Sequence, residues 1–423
     1  MNPRREFLKA SLAASGVWAW GLSAPRFLAK SAAAAPDALQ PGGNEKILVV
    51  VQLTGGNDGL NTVVPFGDDG YGRLRNKLRL PKNELLKVND HIGLHPSLTG
   101  LAKLLEQQAL SIVQGVGYPN PNESHFRSMD IWQAASLGED LTEGWLGKSL
   151  VQLPGVPAFH AAAPNESSHL ALAGAPARVP SITNLAQFQL QMNAAGATDR
   201  EAQRSVIESG TIESGKGRHT AANASYEQNR LLDFVCRTAT NTYANSRRLQ
   251  ELAKNYQPAT PYPTTGLANR LKLVAQLIES GIGGRIYYVT QDGYDTHAGQ
   301  LPLHANLLKE LGDAVAAFYQ DLSARGHRDR LLLMTFSEFG RRAKENESGG
   351  TDHGSAEPLF FVGGRVKPGL IGKHPSLTDL EMDKLKHHTD FRQVYASVLD
   401  NWLGVSSEKV LGEKFKPLDF LKT

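Results

Sequence analysis

The stretch Leu331–Gly354, LLLMTFSEFGRRAKENESGGTDHG, joins a short apolar run to the densest group of polar residues in the chain. Its first five residues have the length and composition of a buried strand. Glu338 and Arg341 follow that strand, and the pair Asp352–His353 comes after two glycines. Because open α/β sheets bind ligands just past the carboxyl ends of their strands, the stretch predicts a functional site at a strand end.

Other apolar runs also predict strands that end in polar loops. They are Lys46–Leu53 before Asn57 and Asp58, Ala109–Val116 before Ser124, and Arg285–Thr290 before Asp292, Asp295 and His297. Helical periodicity follows some of these loops, as in Leu301–Arg325, and Ser168–Ala173 and Pro358–Val362 predict further strands. Alternation of strands and helices predicts an α/β fold with a mostly parallel sheet and helices on both faces.

The middle of the chain has a different composition. Asn184 to Tyr256 is rich in Gln, Asn, Ala and Arg, with helical spacing and few strand signals. We interpret residues 184–262 as a helical insertion in a single domain that spans residues 45–423.

The N-terminus has the pattern of an export signal. Arg4 and Arg5 precede Phe-Leu-Lys, a modestly apolar run, and small residues at 32–35 that offer a cleavage site. The pattern predicts a twin-arginine signal peptide over residues 1–35 and a linker over 36–44. It predicts the export machinery as a partner, a periplasmic or secreted protein, and no permanent membrane anchor, because the apolar run is short.

Composition limits the other classes of function. The single cysteine, Cys236, excludes an intramolecular disulfide and cysteine-rich metal sites. Residues 1–35 hold five basic residues and one acidic residue, so the remaining chain has 40 basic and 41 acidic residues, a net charge of −1. The basicity therefore belongs to the signal, and the sequence does not predict nucleic acid as a partner.

Ser124 lies just before a predicted helix, Phe126 to Ala135. A serine at a helix N-terminus has backbone amides and the positive end of the helix dipole nearby, which suits a nucleophile. Capping of the helix by the same hydroxyl is an equally good interpretation.

The polar residues at four strand ends predict one constellation, since those ends meet at one edge of a doubly wound sheet. Carboxylates, imidazoles and one hydroxyl are typical of a divalent-metal hydrolase. Arg341 and Arg342 could pair with a phosphate or sulfate, and Arg341 is the residue expected to hold the substrate anion. A hydrogen-bonded network that only holds the loops together is the competing interpretation. The sequence leaves zinc, calcium, magnesium and manganese open as the metal.

The ordered motifs GGNDGLNTVVP, ESHFRSMDIWQ, DGYDTH, SEFGRR, GGTDHG and HHTDFRQVYASVLDNWLG resemble the domain of unknown function 1501 family of twin-arginine-exported bacterial proteins. The resemblance spans nearly the whole chain after the signal. That family is in turn similar to the alkaline phosphatase/sulfatase superfamily. The resemblance implies an alkaline-phosphatase-like fold with one or two divalent metals at strand ends.

The resemblance also implies roles for single residues. Asp58 would be an early metal ligand, Ser124 the nucleophile, and Asp292 or Asp295 with His297 the next ligands. The superfamily has an Asp-His pair directly after a strand, whereas this chain has Glu338-Phe339 there. Either Glu338 replaces that ligand and His353 is the late histidine, or Asp352 and His353 form the pair, with His388 as a further candidate.

Two functions follow from these patterns. The first is an exported metal-dependent phosphatase- or sulfatase-like hydrolase that acts on an anionic ester. The second is a non-catalytic relative that binds or scaffolds a periplasmic partner, an alternative suggested by Phe339 where the superfamily has an imidazole.

Overall fold

The computed structural model describes residues 45–176, 179–185 and 254–422, together with positions 22–23, 191–192, 249 and 251. The predicted twin-arginine motif, the linker at 36–44 and most of the insertion predicted at 184–262 lie outside the described residues. The chain divides into two compact units. The smaller comprises Met1–Gly43, Asn184–Tyr256 and Gln276–Gly283, and the larger comprises Asn44–Thr183, Gln257–Ala275 and Gly284–Thr423.

The described part of the smaller unit contains one antiparallel strand pair, Leu22–Ser23 with Gln191–Met192. The described part of the larger unit contains a nine-stranded sheet. Its strands are β1 (Ile47–Thr54), β2 (Leu110–Gly117), β3 (Ala158–Ala161), β4 (Ser181–Ile182), β5 (Ile286–Asp292), β6 (Leu331–Ser337), β7 (Glu357–Gly363), β8 (Gly369–Ile371) and β9 (Thr389–Asp390).

The spatial order of the strands is β8-β2-β7-β6-β1-β5-β3-β4, and β9 also pairs with β2. Within this sheet β7 is antiparallel to both of its neighbours, and the remaining pairs are parallel. The predicted α/β fold with a mostly parallel sheet is confirmed. β1 and β6 are buried almost throughout, so both faces of the sheet are covered at its centre.

The helices are α1 (Gly59–Thr62), α2 (Asp69–Leu74), α3 (Thr99–Glu106), α4 (His125–Ala134), α5 (Trp145–Val151), α6 (Gly266–Glu279), α7 (Gln300–Ala324), α8 (Phe391–Ser397) and α9 (Ser407–Leu411). A π-helical turn, Val398–Leu403, continues α8, and 3₁₀ turns occupy Lys82–Glu84, Leu170–Leu172 and Arg328–Arg330. Small antiparallel sheets join Val63–Val64, Gly93–Leu94 and Leu86–Lys87, and Leu380–Glu381 with Lys384–Leu385.

One strand prediction was wrong. Ser168–Ala173 contains the 3₁₀ turn Leu170–Leu172, and the strand of this region is β3, ten residues earlier. β3 pairs in parallel with β5. Its four residues are too few for the alternation of apolar and polar side chains to identify it from the sequence.

Aromatic packing fixes α4 against the sheet. Trp132 of α4 stacks on Phe336 of β6 with ring centroids 5.7 Å apart, and both side chains are buried. Ser128 of α4 donates a hydrogen bond of 2.5 Å from its Oγ to the Glu338 carbonyl. The start of α4 is therefore held beside the carboxyl end of β6.

A close approach between α3 and α7 provides a test of the packing. A Cβ atom added at Gly100 would lie 2.2 Å from the Gly312 carbonyl oxygen, which is part of the backbone and cannot move aside cheaply. We expect Gly100→Ala to lower the free energy of unfolding by about 1–3 kcal/mol, although alanine favours a helix more than glycine does. Chemical denaturation would measure the change.

Gly266→Ala is the matched control. The nearest atoms to an added Cβ there lie 3.5 Å away, on the flexible Arg270 side chain. This substitution should be neutral or slightly stabilising. Equal effects of the two substitutions would contradict the close packing of α3 on α7.

Candidate metal centre

The candidate site lies at the edge of the sheet where β1, β5 and β6 end. The loop after β1 approaches the loop after β5 so closely that a Cβ atom on Gly55 would lie 2.4 Å from the Asp295 backbone nitrogen. Gly55 also has a φ of +120°, which residues with side chains rarely adopt. The glycine therefore allows the two loops to meet.

Three histidine side chains converge on one carboxylate oxygen, Oδ1 of Asp295. It lies 3.5 Å from Nε2 of His125, 3.0 Å from Nε2 of His297 and 3.3 Å from Nε2 of His353. One nitrogen each of His125 and His353 and one oxygen of Asp295 lie within 4.8 Å of one another. The Nε2 atoms of His297 and His353 are 2.9 Å apart.

The other ring nitrogen of each histidine faces an outer acceptor. Nδ1 of His125 lies 2.8 Å from Oε1 of Glu338, and Nδ1 of His297 lies 3.3 Å from Oδ1 of Asp352. Nδ1 of His353 lies 2.7 Å from the Glu123 carbonyl oxygen. A proton on each Nδ1 leaves each Nε2 as a lone-pair donor, which is how histidines that bind metals are oriented.

The electrostatics of the group favour a cation. Nε2 of His125 is buried and has no hydrogen-bond partner among the described residues. The Nε2 atoms of His297 and His353 face each other, and their lone pairs repel unless a proton or a metal lies between them. The hydrogen bond to Glu338 raises the pKa of His125, and burial lowers the pKa of His353. Burial raises the pKa of Asp295, but the Arg341 guanidinium outweighs it and the net shift is downward.

Solvent reaches the group from one side. The Asp295 side chain is 49% exposed and that of His125 is 31% exposed, whereas the outer carboxylate of Glu338 is fully buried. The Phe339 ring packs 5.0 Å from the His125 ring and 4.7 Å from the His353 ring. Phe339 therefore forms an apolar wall of the site and takes no place in the ligand set.

Glu338 and Asp352 occupy outer positions. Glu338 accepts a hydrogen bond from the Gly55 backbone nitrogen at 2.8 Å as well as contacting His125. Asp352 accepts from the Asn346 amide at 3.1 Å in addition to its contact with His297. Both carboxylates, which the sequence predicts as ligands, thus orient imidazoles in this arrangement.

Asp58 lies in a different environment from the one that the sequence predicts. It is buried, and both of its oxygens bind Arg75, at 2.6 and 2.8 Å, while Gln300 donates a further hydrogen bond to Oδ2. Asp292, the other predicted ligand from the sheet, is exposed at the end of β5. No contact among the described residues joins either carboxylate to the group around Asp295.

Arg341 is buried and directed at the protein. Its guanidinium donates to the backbone carbonyls of Gly55, Gly56, Tyr294 and Thr351 and, at 2.7 Å, to Oδ1 of Asp295. These bonds position the loops, so the structure gives Arg341 little freedom to hold a substrate anion. Arg342 is more accessible and lies 3.3 Å from the His353 carbonyl.

Ser124 is exposed and caps α4 without a side-chain hydrogen bond to the helix. It lies between Glu123, whose carbonyl binds His353, and His125. His125 is not among the candidate ligands predicted from the sequence, where the neighbouring Ser124 is the candidate residue of this segment. The signal was present, since His125 also follows the end of a predicted strand.

The contrasting environments of Asp58 and Asp295 lead to a test. Asp58→Ala would leave the buried Arg75 without its counter-charge, so we expect a loss of about 3–5 kcal/mol in the free energy of unfolding. Bound metal should be unaffected in the protein that remains folded. Denaturant titration and metal analysis would measure the two effects.

Asp90→Ala is the control, because Asp90 forms an exposed ion pair with Lys87 that contributes little. Its unfolding curve should match that of the unmodified protein. An Asp58→Ala protein with unchanged stability and no bound metal would instead make Asp58 a ligand.

Among the described residues, no helix has the length and apolar character needed to cross a membrane. A search of curated proteins found no match to this chain.

The solved structures to which this chain is similar include a sulfatase, a lipoteichoic acid synthase and an alkaline phosphatase. The sulfatase PsFucS1 from Pseudoalteromonas sp. is 13% identical, with 94% of this chain and 75% of that chain covered and a TM-score of 0.38. The lipoteichoic acid synthase LtaP from Listeria monocytogenes is 10% identical, with 94% and 81% covered and a TM-score of 0.37. The alkaline phosphatase from the Antarctic bacterium TAB5 is 11% identical, with 75% and 92% covered and a TM-score of 0.27.

TM-scores this low do not transfer an activity or a site to this chain. The family model described as "Protein of unknown function (DUF1501)" matches residues 45–413, which is most of the chain. The chain therefore belongs to the DUF1501 family.

Proposed function

We propose that this protein is a divalent-metal-dependent hydrolase of phosphate or sulfate esters. The observation that carries the proposal is the convergence of three Nε2 atoms on Oδ1 of Asp295 while each Nδ1 faces an outer acceptor. His125, Asp295, His297 and His353 would hold the cation. Imidazole-rich sites favour zinc over calcium or magnesium, which prefer oxygen ligands.

When bound, the cation would act as a Lewis acid on an ester oxygen and offset its charge. The accessible side of the site, at Asp295, is the side from which a substrate can approach.

Ser124 is the proposed nucleophile. Its exposed hydroxyl is not used in capping, and it lies at the N-terminus of a ten-residue helix, whose dipole favours an anion. Attack by Ser124 Oγ on phosphorus or sulfur would form the bond to serine and break the bond to the leaving alcohol, which takes up a proton. Water would then hydrolyse the seryl ester and restore the hydroxyl.

Cationic side chains border the serine. Glu123 binds Lys384 at 2.7 Å and Arg342 at 3.4 Å, so a positive pair lies next to the nucleophile's backbone. In this proposal Arg342 takes the anion-holding role that the sequence predicts for Arg341, because the Arg341 guanidinium is occupied by backbone carbonyls.

Substitution of a ligand and of the nucleophile should have separable effects. We expect His125→Ala to lose the metal bound at Asp295 and hydrolysis together. Ser124→Ala should keep the metal and lose at least about 100-fold in kcat, since it removes only the attacking group. Metal analysis of natively purified protein and a panel of phosphate and sulfate esters would measure both.

His91→Ala, at an exposed histidine outside the site, is the matched control and should retain metal and activity. Metal-loaded protein with no activity on any ester would favour the second function, a non-catalytic binding or scaffold protein. Failure of the unmodified protein to bind any divalent metal would overturn the metal centre.

The place of action is part of the proposal. Arg4 and Arg5 begin a twin-arginine pattern, so we propose export by that machinery to the periplasm or the medium. Replacing both arginines with lysine should retain the protein in the cytoplasm, as cell fractionation would show. Lys30→Ala, outside the motif, should be exported normally.

A further inference from the structure

A second group of side chains with ligand character lies after β3. His160 belongs to β3, and Glu166 and His169 come from the loop that follows. Nε2 of His160 and Nε2 of His169 lie 3.3 and 2.9 Å from the same oxygen, Oε1 of Glu166. One ligand atom from each of the three residues lies within 4.8 Å of the others.

Outer contacts hold the three side chains in place. Nδ1 of His160 lies 2.9 Å from the Ser181 hydroxyl, and Oε2 of Glu166 accepts a hydrogen bond of 2.6 Å from the Ala163 backbone nitrogen. Thr290 of β5 donates to Oε1 of Glu166 at 2.7 Å. Nδ1 of His169 lies 3.4 Å from the Gln133 amide, a contact too long to fix which ring nitrogen carries the proton.

His160 supplies the independent sign of a missing ligand. Its side chain is fully buried, and its Nε2 has no hydrogen-bond partner among the described residues. The nearest atom of opposite character is Oε1 of Glu166, 3.3 Å away. Buried polar atoms are nearly always paired, so an unpaired nitrogen that points at a carboxylate indicates a place for a cation.

This group is separate from the centre at Asp295. His125 begins α4, and Gln133, which contacts His169, comes eight residues later in the same helix. At 1.5 Å per residue the two positions are about 12 Å apart along the helix axis. The two groups therefore adjoin opposite ends of α4, and they share no residue.

The group is also more enclosed than the first. The side chains of Glu166 and His169 are each 16% exposed, compared with 49% for Asp295. Its members join β3, the following loop and, through Thr290, β5. A cation here would hold those segments together, and the enclosure leaves little access for an ester substrate.

We propose that His160, Glu166 and His169 form a second metal site, which binds a structural zinc ion. Two imidazoles and one carboxylate suit zinc, and the Thr290 hydroxyl, which donates to Oε1 of Glu166 at 2.7 Å, holds that carboxylate in place. The site does not depend on the proposed hydrolase function, because its residues and its cation are distinct.

Zinc stoichiometry separates the two sites. Full-length protein is stripped with a chelator, reloaded with zinc, freed of excess metal by gel filtration and analysed for zinc per chain. His169→Gln keeps a polar side chain beside Glu166 and should lose one equivalent relative to the unmodified protein. His353→Ala should lose a different equivalent, and the double variant should lose both, while His91→Ala loses none.

Thermal unfolding provides the second readout. In the His353→Ala background, zinc should raise the melting temperature, because binding to the folded state alone stabilises it. The rise should disappear when His169→Gln or Glu166→Gln is added. Glu166→Gln also replaces His169→Gln in the zinc measurement if the latter fails to fold.

The outcomes distinguish this site from the proposed function. Loss of one equivalent in His169→Gln but none in His353→Ala would support the structural site and overturn the hydrolase centre. Unchanged zinc content in both His169→Gln and Glu166→Gln would show that the group is only a hydrogen-bonded network, and would overturn the proposal made here.

Discussion

The guanidinium of Arg341 is the interaction on which the candidate centre depends. It is buried, and it binds backbone carbonyls from the loops after β1 and β5 and from the segment before His353, together with the carboxylate of Asp295. A buried guanidinium requires such partners, since an unpaired charge in the interior is costly. The loops are thus held in the positions that bring their histidines together.

Two layers of contacts surround the oxygen of Asp295. Glu338 is fully buried and contacts His125, whereas Asp295 is half-exposed and faces three Nε2 atoms. The outer layer sets the orientation of each ring, and the inner layer faces solvent. The two ring nitrogens of His160 are likewise divided, with Nδ1 facing Ser181 and Nε2 facing Glu166, but this ring is buried. Both groups lie where parallel strands end, the usual place for ligands in such sheets.

A short sequence can hold residues with opposite roles. Ser337 binds the Leu53 carbonyl through its hydroxyl and is structural, while the adjacent Glu338 supports the centre. The sequence suggests Asp58 as a metal ligand that comes early in the chain. In the structure Arg75, seventeen residues later, donates hydrogen bonds to both carboxylate oxygens of Asp58. A carboxylate at a strand end is therefore equally able to bind a metal or to anchor a loop, and its cationic neighbours decide which.

The sequence by itself predicted the α/β fold and the strand ends that carry polar groups. It also predicted one constellation that includes Asp295, His297 and His353, together with Asp58 and Asp292, which the structure places apart from them. These features follow from local periodicity and from the rule that parallel strands end at one edge. Only the tertiary structure decided that His125 faces Asp295, that Glu338 and Asp352 lie in the outer layer, and that Asp58 pairs with Arg75. The sequence patterns also do not predict the group of His160, Glu166 and His169, because β3 is short and the other two residues follow in an irregular loop. Loop paths and burial select the partner of each side chain, and neither is encoded in the local spacing of residues.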